Sequence, residues 1–268
     1  MPDPAAAFAQ ALRSALPAAG LERRALDGTI YFTSADDSGP RTPMVLVHGA
    51  NDHAGTWAPV VPRLLDRYRL IIPDLAGHGE SAPTEGPIYL SAIVDGLAAV
   101  IDRETSGPVI LVGNSMGAWV AMLYALANRQ RVSRLVLESG GGLARPLGVP
   151  LIATTPEEAI RILRAVHGPD AVLPDWAPEA LMRRAQSSPL LRVMQSGAFE
   201  HLVDDRLGDL RVPTTVIWGE HDGVVPRDYV NALRDGIAGA RLEVIAGAAH
   251  IPHLQQPERF VACLTATS

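Results

Sequence analysis

A serine flanked by glycines, between an apolar strand and an apolar helix, constrains this chain more than any other feature. Residues 109–112 form an apolar run that predicts a buried strand, and residues 118–127 have the length and composition of a helix. Between them, Gly113-Asn114-Ser115-Met116-Gly117 fits the pattern G-x-S-x-G. Glycines at both ends let strand and helix approach closely, so the serine hydroxyl stands exposed at the helix N-terminus. The pattern predicts that Ser115 is a nucleophile.

A serine nucleophile needs a base, because its hydroxyl reacts slowly at neutral pH unless a neighbouring group removes the proton. The base is usually a histidine that a carboxylate orients, and after G-x-S-x-G the acid precedes the histidine in the chain. Asp222 follows an apolar run that ends at Trp218, and His250 follows one that ends at Ile245. We therefore predict that Ser115, Asp222 and His250 are the catalytic residues.

Other residues compete for two of these roles. His221 and His253 are alternatives to His250 as the base. Glu220 and Glu138 are alternatives to Asp222 as the acid, and Glu138 follows the sixth predicted strand. If Asp222 is the acid, Glu138 is a structural carboxylate or a backup acid that could take the place of Asp222.

The oxyanion of an acyl-transfer reaction needs two hydrogen-bond donors. We predict the backbone N–H groups of Met116, which follows the nucleophile, and of Ala50, which lies in the loop after the third strand. His48 is expected to orient that loop by hydrogen bonding. Candidate substrate-pocket residues are Asn51 and His53 of the same loop and Trp119, one turn into the helix, which fits core packing as well.

Strand-like and helix-like segments alternate along the chain. Most of the strand-like segments are continuous apolar runs, as expected of parallel strands covered on both faces. The pattern predicts an α/β fold with a doubly wound, mostly parallel β-sheet. The predicted strands are residues 21–26, 29–33, 44–47, 70–72, 109–112, 135–137, 215–218 and 242–245, and the predicted helices are residues 57–66, 90–103, 116–128, 227–235 and 258–264.

One segment interrupts this alternation. Residues 143–210 contain no convincing strand, only helical stretches at 156–166 and 178–186 separated by prolines. A helical insertion after the sixth strand would lie over the carboxyl ends of the strands, where ligands bind in open α/β sheets. We predict a first core segment at 1–142, a helical cap (lid) at 143–210 and a second core segment at 211–268.

Composition narrows the classes of function. A net charge of −6 without long charge runs argues against nucleic acid as a partner. The chain has no lysine, which excludes Schiff-base chemistry, and its single cysteine, Cys263, cannot form an internal disulfide. The N-terminal stretch lacks the basic region of a signal peptide, and no apolar run is long enough to span a bilayer. We expect a cytoplasmic protein whose oligomeric state the sequence leaves open.

Five motifs together resemble the α/β-hydrolase superfamily of serine hydrolases over essentially the whole chain. They are His48-Gly49, the loop at 74–81, the turn around Ser115, Gly219-Glu220-His221-Asp222 and Gly247-Ala248-Ala249-His250. The resemblance implies a sheet of the α/β-hydrolase type and a Ser-His-Asp hydrolase without a cofactor or a metal. Superfamily members with an aspartate nucleophile, such as epoxide hydrolases and haloalkane dehalogenases, are excluded because position 115 is serine.

Two subfamilies are similar to parts of the chain. Residues 150–158 resemble the corresponding segment of monoacylglycerol-lipase-like carboxylesterases, which implies cleavage of short- to medium-chain acyl esters or monoacylglycerols, a small-molecule substrate. The serine turn is also similar to that of meta-cleavage-product C–C hydrolases. Those usually carry a Ser-Gly-rich loop after His-Gly and a tryptophan after the catalytic histidine, where this chain has Ala50-Asn51-Asp52 and Ile251. A third hypothesis is a non-catalytic ligand-binding protein of the same fold, against which an intact triad argues.

Overall fold

A single twisted sheet organises the protein, whose computed structural model describes residues 4–35 and 41–266. Within these residues the sheet has eight strands in the order β1-β2-β4-β3-β5-β6-β7-β8, with β2 antiparallel to both neighbours and the other pairs parallel. The predicted doubly wound, mostly parallel sheet is therefore confirmed. The strands are β1 (Leu21–Leu26), β2 (Thr29–Ser34), β3 (Thr42–Val47), β4 (Tyr68–Pro73), β5 (Val109–Asn114), β6 (Val132–Glu138), β7 (Thr214–Gly219) and β8 (Arg241–Ile245).

Helices cover both faces of the sheet. The helices in the described residues are α1 (Pro4–Ala18), α2 (Val61–Leu64), α3 (Leu90–Glu104), α4 (Met116–Ala127), α5 (Pro156–His167), α6 (Ala177–Ala185), α7 (Pro189–Gln195), α8 (Arg227–Gly236), α9 (Pro252–Gln255) and α10 (Pro257–Thr265). One apolar core lies between the sheet and α3, α4 and α8, and a second lies between the sheet and α1, α2 and α10. Because both faces are covered, every residue of β5 and β7 is buried.

The predicted helix at 57–66 is wrong in its extent. The structure has a 3₁₀ turn at Ala54–Trp57 and then the single-turn helix α2. Pro59 and Pro62 account for the interruption, because proline cannot donate the backbone hydrogen bond that a continuous helix needs at those positions. Pro62 is tolerated because it lies in the first turn of α2, where the N–H has no helical partner.

Residues 143–210, between β6 and β7, contain only helical elements and loops. They form α5, α6 and α7, followed by 3₁₀ turns at Ala198–His201 and Asp204–Asp209. Thr155 starts α5 by accepting a hydrogen bond from the Glu158 backbone, and Ser188 starts α7 in the same way. That this segment acts as a cap over a substrate pocket stays a prediction.

The length and composition of a helix determine whether it could cross a membrane. Across residues 4–35 and 41–266, none of the helices combines the length and the apolar character needed to cross a bilayer.

Candidate active site

Ser115 occupies a strained turn between β5 and α4. Its backbone has φ +53° and ψ −116°, a region that residues with a Cβ rarely adopt. The turn is fixed by two backbone hydrogen bonds: the Ser115 N–H donates to the Glu138 carbonyl at 2.9 Å, and the Gly141 N–H donates to the Ser115 carbonyl at 3.0 Å. Ser115 stays partly exposed although its neighbours Asn114 and Met116 are buried. A strained, accessible serine of this kind suits a nucleophile.

Close packing explains the two glycines of the turn. A Cβ on Gly113 would collide with the backbone of Gly117, and a Cβ on Gly117 would collide with the carbonyls of Val47 and His48. The end of β5, the start of α4 and the end of β3 therefore meet where no side chain fits. This contact brings the loop after β3 against the serine turn.

Asp222 and His250 lie together at the ends of β7 and β8. The Asp222 carboxylate oxygens are 3.0 and 3.1 Å from His250 Nδ1. Oδ1 also accepts the backbone N–H groups of Val224 at 2.8 Å and Val225 at 2.9 Å. These donors compensate the charge of a nearly buried carboxylate. Because Asp222 occupies Nδ1, Nε2 is the ring nitrogen of His250 that can receive a proton.

The Ser115 and His250 side chains are not joined directly. Within the part of the chain that the structure describes, no hydrogen bond links the Ser115 hydroxyl to the His250 ring. The Asn114 side-chain amide instead donates to the His250 carbonyl at 3.1 Å, so the residue before Ser115 holds the backbone of His250. Hydrogen bonds between a nucleophile and its base are often long in ligand-free enzymes and shorten when substrate binds.

The C-terminal end of α5 contacts both loops that carry Asp222 and His250. The Ala165 carbonyl accepts the Gly223 N–H at 3.1 Å, and the Val166 carbonyl accepts the His250 N–H at 3.1 Å. The last carbonyls of a helix have no partner within it, so they are available for such contacts.

Gln255 adds a third link between α5 and the histidine loop. Its side chain donates to the His167 carbonyl at 2.8 Å and accepts from the Ala249 N–H at 2.7 Å. This role of Gln255 could not be predicted from the sequence, because both partner atoms belong to the backbone.

The alternative base and the alternative acid pair with each other. Glu138 Oε2 is 2.7 Å from His253 Nδ1, and Glu138 Oε1 accepts the His253 backbone N–H at 2.8 Å. His253 Nε2 is 2.9 Å from the Thr56 hydroxyl, and all three residues are completely buried. The sequence suggested Glu138 and His253 only as separate alternatives for the acid and the base. It gave no signal for Thr56, which lies in no recognisable motif.

The remaining alternatives, His221 and Glu220, are exposed, and their charged groups are 3.9 Å apart. Glu220 also accepts the Gly247 backbone N–H at 3.2 Å. Neither residue contacts the side chain of His250 or Asp222 by a hydrogen bond among the described residues.

The loop after β3 is held by His48. His48 Nδ1 lies 2.7 Å from the Gly49 carbonyl, and Nε2 accepts the Leu75 N–H at 3.0 Å. Burial lowers the pKa of His48 well below its usual value, so the ring is neutral and Nδ1 carries the proton. Gly49 borders the nucleophile, since a Cβ there would lie 3.3 Å from the Ser115 Cβ. Ala50 follows directly in the chain.

Met116 is the first residue of α4, so its N–H has no carbonyl within the helix to bind. The positive end of the α4 dipole lies at the same place. Convergence of the Met116 and Ala50 N–H groups on one oxyanion stays a prediction.

A buried aspartate, Asp74, stabilises the region that follows the loop after β3. Asp74 accepts the Ala54 N–H at 2.7 Å and the Glu80 N–H at 2.9 Å, and it pairs with Arg13 of α1. Burial raises the pKa of Asp74, against the effect of those backbone donors. The Asp74 pairing with Arg13 joins the N-terminal helix to the region of the site. The motif at 74–81 marks this loop in the sequence, but its pattern does not predict the contact of Asp74 with Arg13.

The three candidate pocket residues each have a polar atom engaged within the protein. Asn51 has φ +59°, and its side-chain oxygen accepts the Leu190 N–H at 2.9 Å. His53 Nδ1 accepts the Gly55 N–H at 3.0 Å and so caps the following 3₁₀ turn. Trp119 is buried and donates to the His201 carbonyl at 2.9 Å. Asn51 and Trp119 therefore connect the core to residues 143–210, and substrate contact by any of the three stays a prediction.

Comparison with known proteins decides the family. Residues 44–263 match the family described as Alpha/beta hydrolase family, which covers most of the chain. The chain belongs to the alpha/beta hydrolase family. As predicted, this hydrolase is a member of the α/β-hydrolase superfamily.

Its relatives span more than one reaction. The hydrolase is 30% identical over 244 residues to a pimeloyl-[acyl-carrier protein] methyl ester esterase of Neisseria meningitidis, covering 81% of this chain and 89% of the esterase. It is 28% identical over 264 residues to a 2-hydroxy-6-oxononadienedioate/2-hydroxy-6-oxononatrienedioate hydrolase of Paraburkholderia xenovorans, covering 87% and 89%. A bacterial membrane phospholipase A has the same fold, with a TM-score of 0.80, 22% identity and coverage of 97% and 91%.

Proposed function

We propose that this hydrolase cleaves carboxylic esters through an acyl-enzyme on Ser115, with His250 as general base and Asp222 orienting it. The observation that carries the proposal is the Asp222–His250 pair at 3.0 Å, on a loop tied by Asn114 to the nucleophile turn. With Nδ1 bound to a carboxylate, the imidazole presents its other nitrogen as the base, which is the arrangement that activates a serine.

The mechanism follows from these roles. Ser115 Oγ attacks the ester carbonyl carbon while His250 Nε2 takes the hydroxyl proton, and the Asp222 carboxylate stabilises the imidazolium. The carbonyl oxygen becomes an oxyanion that accepts hydrogen bonds from the backbone N–H groups of Ala50 and Met116. As the tetrahedral intermediate collapses, His250 protonates the departing alkoxide. Water then hydrolyses the acyl-enzyme by the same sequence and restores the Ser115 hydroxyl.

The proposed substrates are short- to medium-chain acyl esters or monoacylglycerols. The segment at 143–210 would act as the cap that sets the depth of the pocket, and the links through Asn51 and Trp119 support such a role. The relationship to an esterase of Neisseria meningitidis supports ester cleavage, although that protein acts on an acyl-carrier-protein ester.

C–C bond hydrolysis is the second candidate, favoured by the relationship to the dienedioate hydrolase of Paraburkholderia xenovorans. Two residues argue against it. Asp52 lies where C–C hydrolases usually carry a Ser-Gly-rich loop, and Ile251 replaces the tryptophan usual in C–C hydrolases.

The deciding experiment is initial-rate hydrolysis of p-nitrophenyl esters from acetate to palmitate, with Ser115→Ala as the control. We expect turnover by the native protein that disappears in the variant, with a chain-length optimum reporting the pocket depth. Turnover retained in Ser115→Ala would contradict the assignment of the nucleophile. Cleavage of a dienedioate ring-fission product without ester turnover would favour the second candidate. Failure of a fluorophosphonate to label Ser115 would favour a non-catalytic binding protein.

A further inference from the structure

One residue contacts both the nucleophile turn and the segment that carries the base. Glu138 ends β6 and is paired across the sheet with Asn114, the residue before Ser115. Its backbone carbonyl accepts the Ser115 N–H at 2.9 Å. Its carboxylate accepts both the backbone N–H and the ring Nδ1 of His253, three residues after His250.

The other side of the His253 ring also contacts buried residues. Its Nε2 is 2.9 Å from the Thr56 hydroxyl, and its ring lies 4.3 Å from the Trp57 ring, centroid to centroid. Glu138, His253 and Thr56 are completely buried, so the hydroxyl of this chain of hydrogen bonds cannot meet a substrate. Although its order of groups repeats that of a catalytic triad, its effect is to fix the position of His253.

We infer that Glu138 is a positioning residue for His250, and this inference rests on the proposed function. The segment from His250 to His253 is anchored at its start by Asn114 and at its end by Glu138. Both anchors also reach the backbone of Ser115, because Asn114 precedes it in the chain and the Glu138 carbonyl accepts its N–H. The separation of Ser115 and His250 therefore depends on the length of the Glu138 side chain as well as on Asn114. A misplacement of about 1 Å at such a site can cost about 100-fold in rate.

Three substitutions separate positioning from general stability. Glu138→Asp keeps the charge but withdraws the carboxylate by one methylene, so it cannot hold His253 in the same place. Glu138→Gln keeps the length: its oxygen accepts the His253 N–H, and its amide donates to Nδ1 if the ring proton moves to Nε2, where the Thr56 hydroxyl accepts it. Thr56→Val is the matched control, because it removes a contact of His253 and leaves Glu138 intact.

The rates are measured well below each melting temperature and normalised to the Ser115 sites that a fluorophosphonate titrates. For Glu138→Asp we expect kcat to fall by about 10- to 100-fold with KM nearly unchanged. We expect Glu138→Gln and Thr56→Val to stay within about fivefold of the native rate, even if both melt earlier. The acid limb of the pH profile should stay in place in Thr56→Val, because that variant changes neither the charge nor the length of the Glu138 side chain.

Two results would overturn the inference: a native kcat per titrated site in Glu138→Asp, or equal losses in Glu138→Asp and Thr56→Val. If Glu138→Asp does not fold, the double variant Glu138→Gln/Thr56→Val replaces it, since the amide that Glu138→Gln introduces depends on Thr56 to accept the ring proton. The double variant should then lose more rate than the two single variants combined, and simple additivity would contradict the inference.

The test does not depend on finding the substrate. If the native protein turns over no ester, the proposed function fails, and the second-order rate of fluorophosphonate labelling of Ser115 becomes the readout. Slower labelling of Glu138→Asp than of Thr56→Val still supports positioning, and equal labelling rates contradict it.

Discussion

The protein contains two histidine–carboxylate pairs with the same local geometry and different surroundings. Asp222 lies 3.0 Å from His250 Nδ1, and Glu138 lies 2.7 Å from His253 Nδ1. The second pair is sealed in the core, and its Nε2 is occupied by the Thr56 hydroxyl. In the first pair, Nε2 of His250 has no hydrogen-bond partner within the residues the structure describes. The two pairs therefore differ in what the second ring nitrogen can reach, and this difference is why we propose His250 and not His253 as the base.

The largest difference in kcat is expected between the removal of the Ser115 hydroxyl, which we assign to the first pair, and the removal of the Thr56 hydroxyl, which binds the second. Ser115→Ala should lower kcat by about 10⁴-fold or more, because it removes the nucleophile, whereas Thr56→Val should leave kcat within about fivefold. Burst kinetics with a p-nitrophenyl ester measure both, and the burst should vanish only in Ser115→Ala. A comparable loss in Thr56→Val would mean that the buried pair takes part in the chemistry.

Removing the charge of each carboxylate gives the next largest contrast. Asp222→Asn should lower kcat by about 10⁴-fold at nearly unchanged KM, because an amide does not hold the His250 tautomer with the proton on Nδ1. Glu138→Gln is the matched change in the other pair, with a loss of no more than about fivefold. If Glu138→Gln were the more damaging variant, Glu138 and not Asp222 would be the acid that matters.

The first histidine–carboxylate pair could be predicted from the sequence, whereas the contacts of the second pair could not. The nucleophile turn, the strands and the residues after β7 and β8 have local signals in glycine spacing and apolar runs, so the Asp222–His250 contact could be anticipated. Glu138 and His253 are 115 positions apart, and Thr56 and His253 are 197 apart. Their meeting depends on the order of β3, β5 and β6 in the sheet and on where α9 packs. The carbonyls of α5 that hold both loops are backbone atoms, which leave no mark in the sequence.

We expect His253 to contribute more than His250 to the stability of the fold, which is the reverse of the order expected for catalysis. His253→Ala should lower the free energy of unfolding by about 3–5 kcal/mol, because it leaves the Glu138 carboxylate buried without its ring partner. His250→Ala should lower it by about 1 kcal/mol, since Asp222 keeps the Val224 and Val225 N–H donors. Urea unfolding of both variants measures the difference. Equal losses would show that the Glu138–His253 pair is no more important to the fold than the Asp222–His250 pair.

Two buried histidines that pair with no carboxylate among the described residues, His48 and His78, extend the comparison to the dependence of stability on pH. Burial lowers the pKa of His78 to about 4, and its Nε2 has no partner among the described residues. Since the pKa of an unfolded histidine is about 6.5, the unfolded chain binds more protons between about pH 6.5 and pH 4. The stability that neutral His78 contributes is therefore complete above about pH 6.5 and is lost as the pH falls toward about 4.

The expected loss from His78 is about 2 kcal/mol between about pH 7 and about pH 4.5. His78→Gln should reduce the fall in unfolding free energy across that interval by this amount, whereas the exposed His221→Gln should leave it unchanged. Urea unfolding at the two pH values measures each difference. His48 should act in the same direction, because burial also lowers its pKa. If His78→Gln kept the full native fall, His78 would not contribute to the acid sensitivity of the fold.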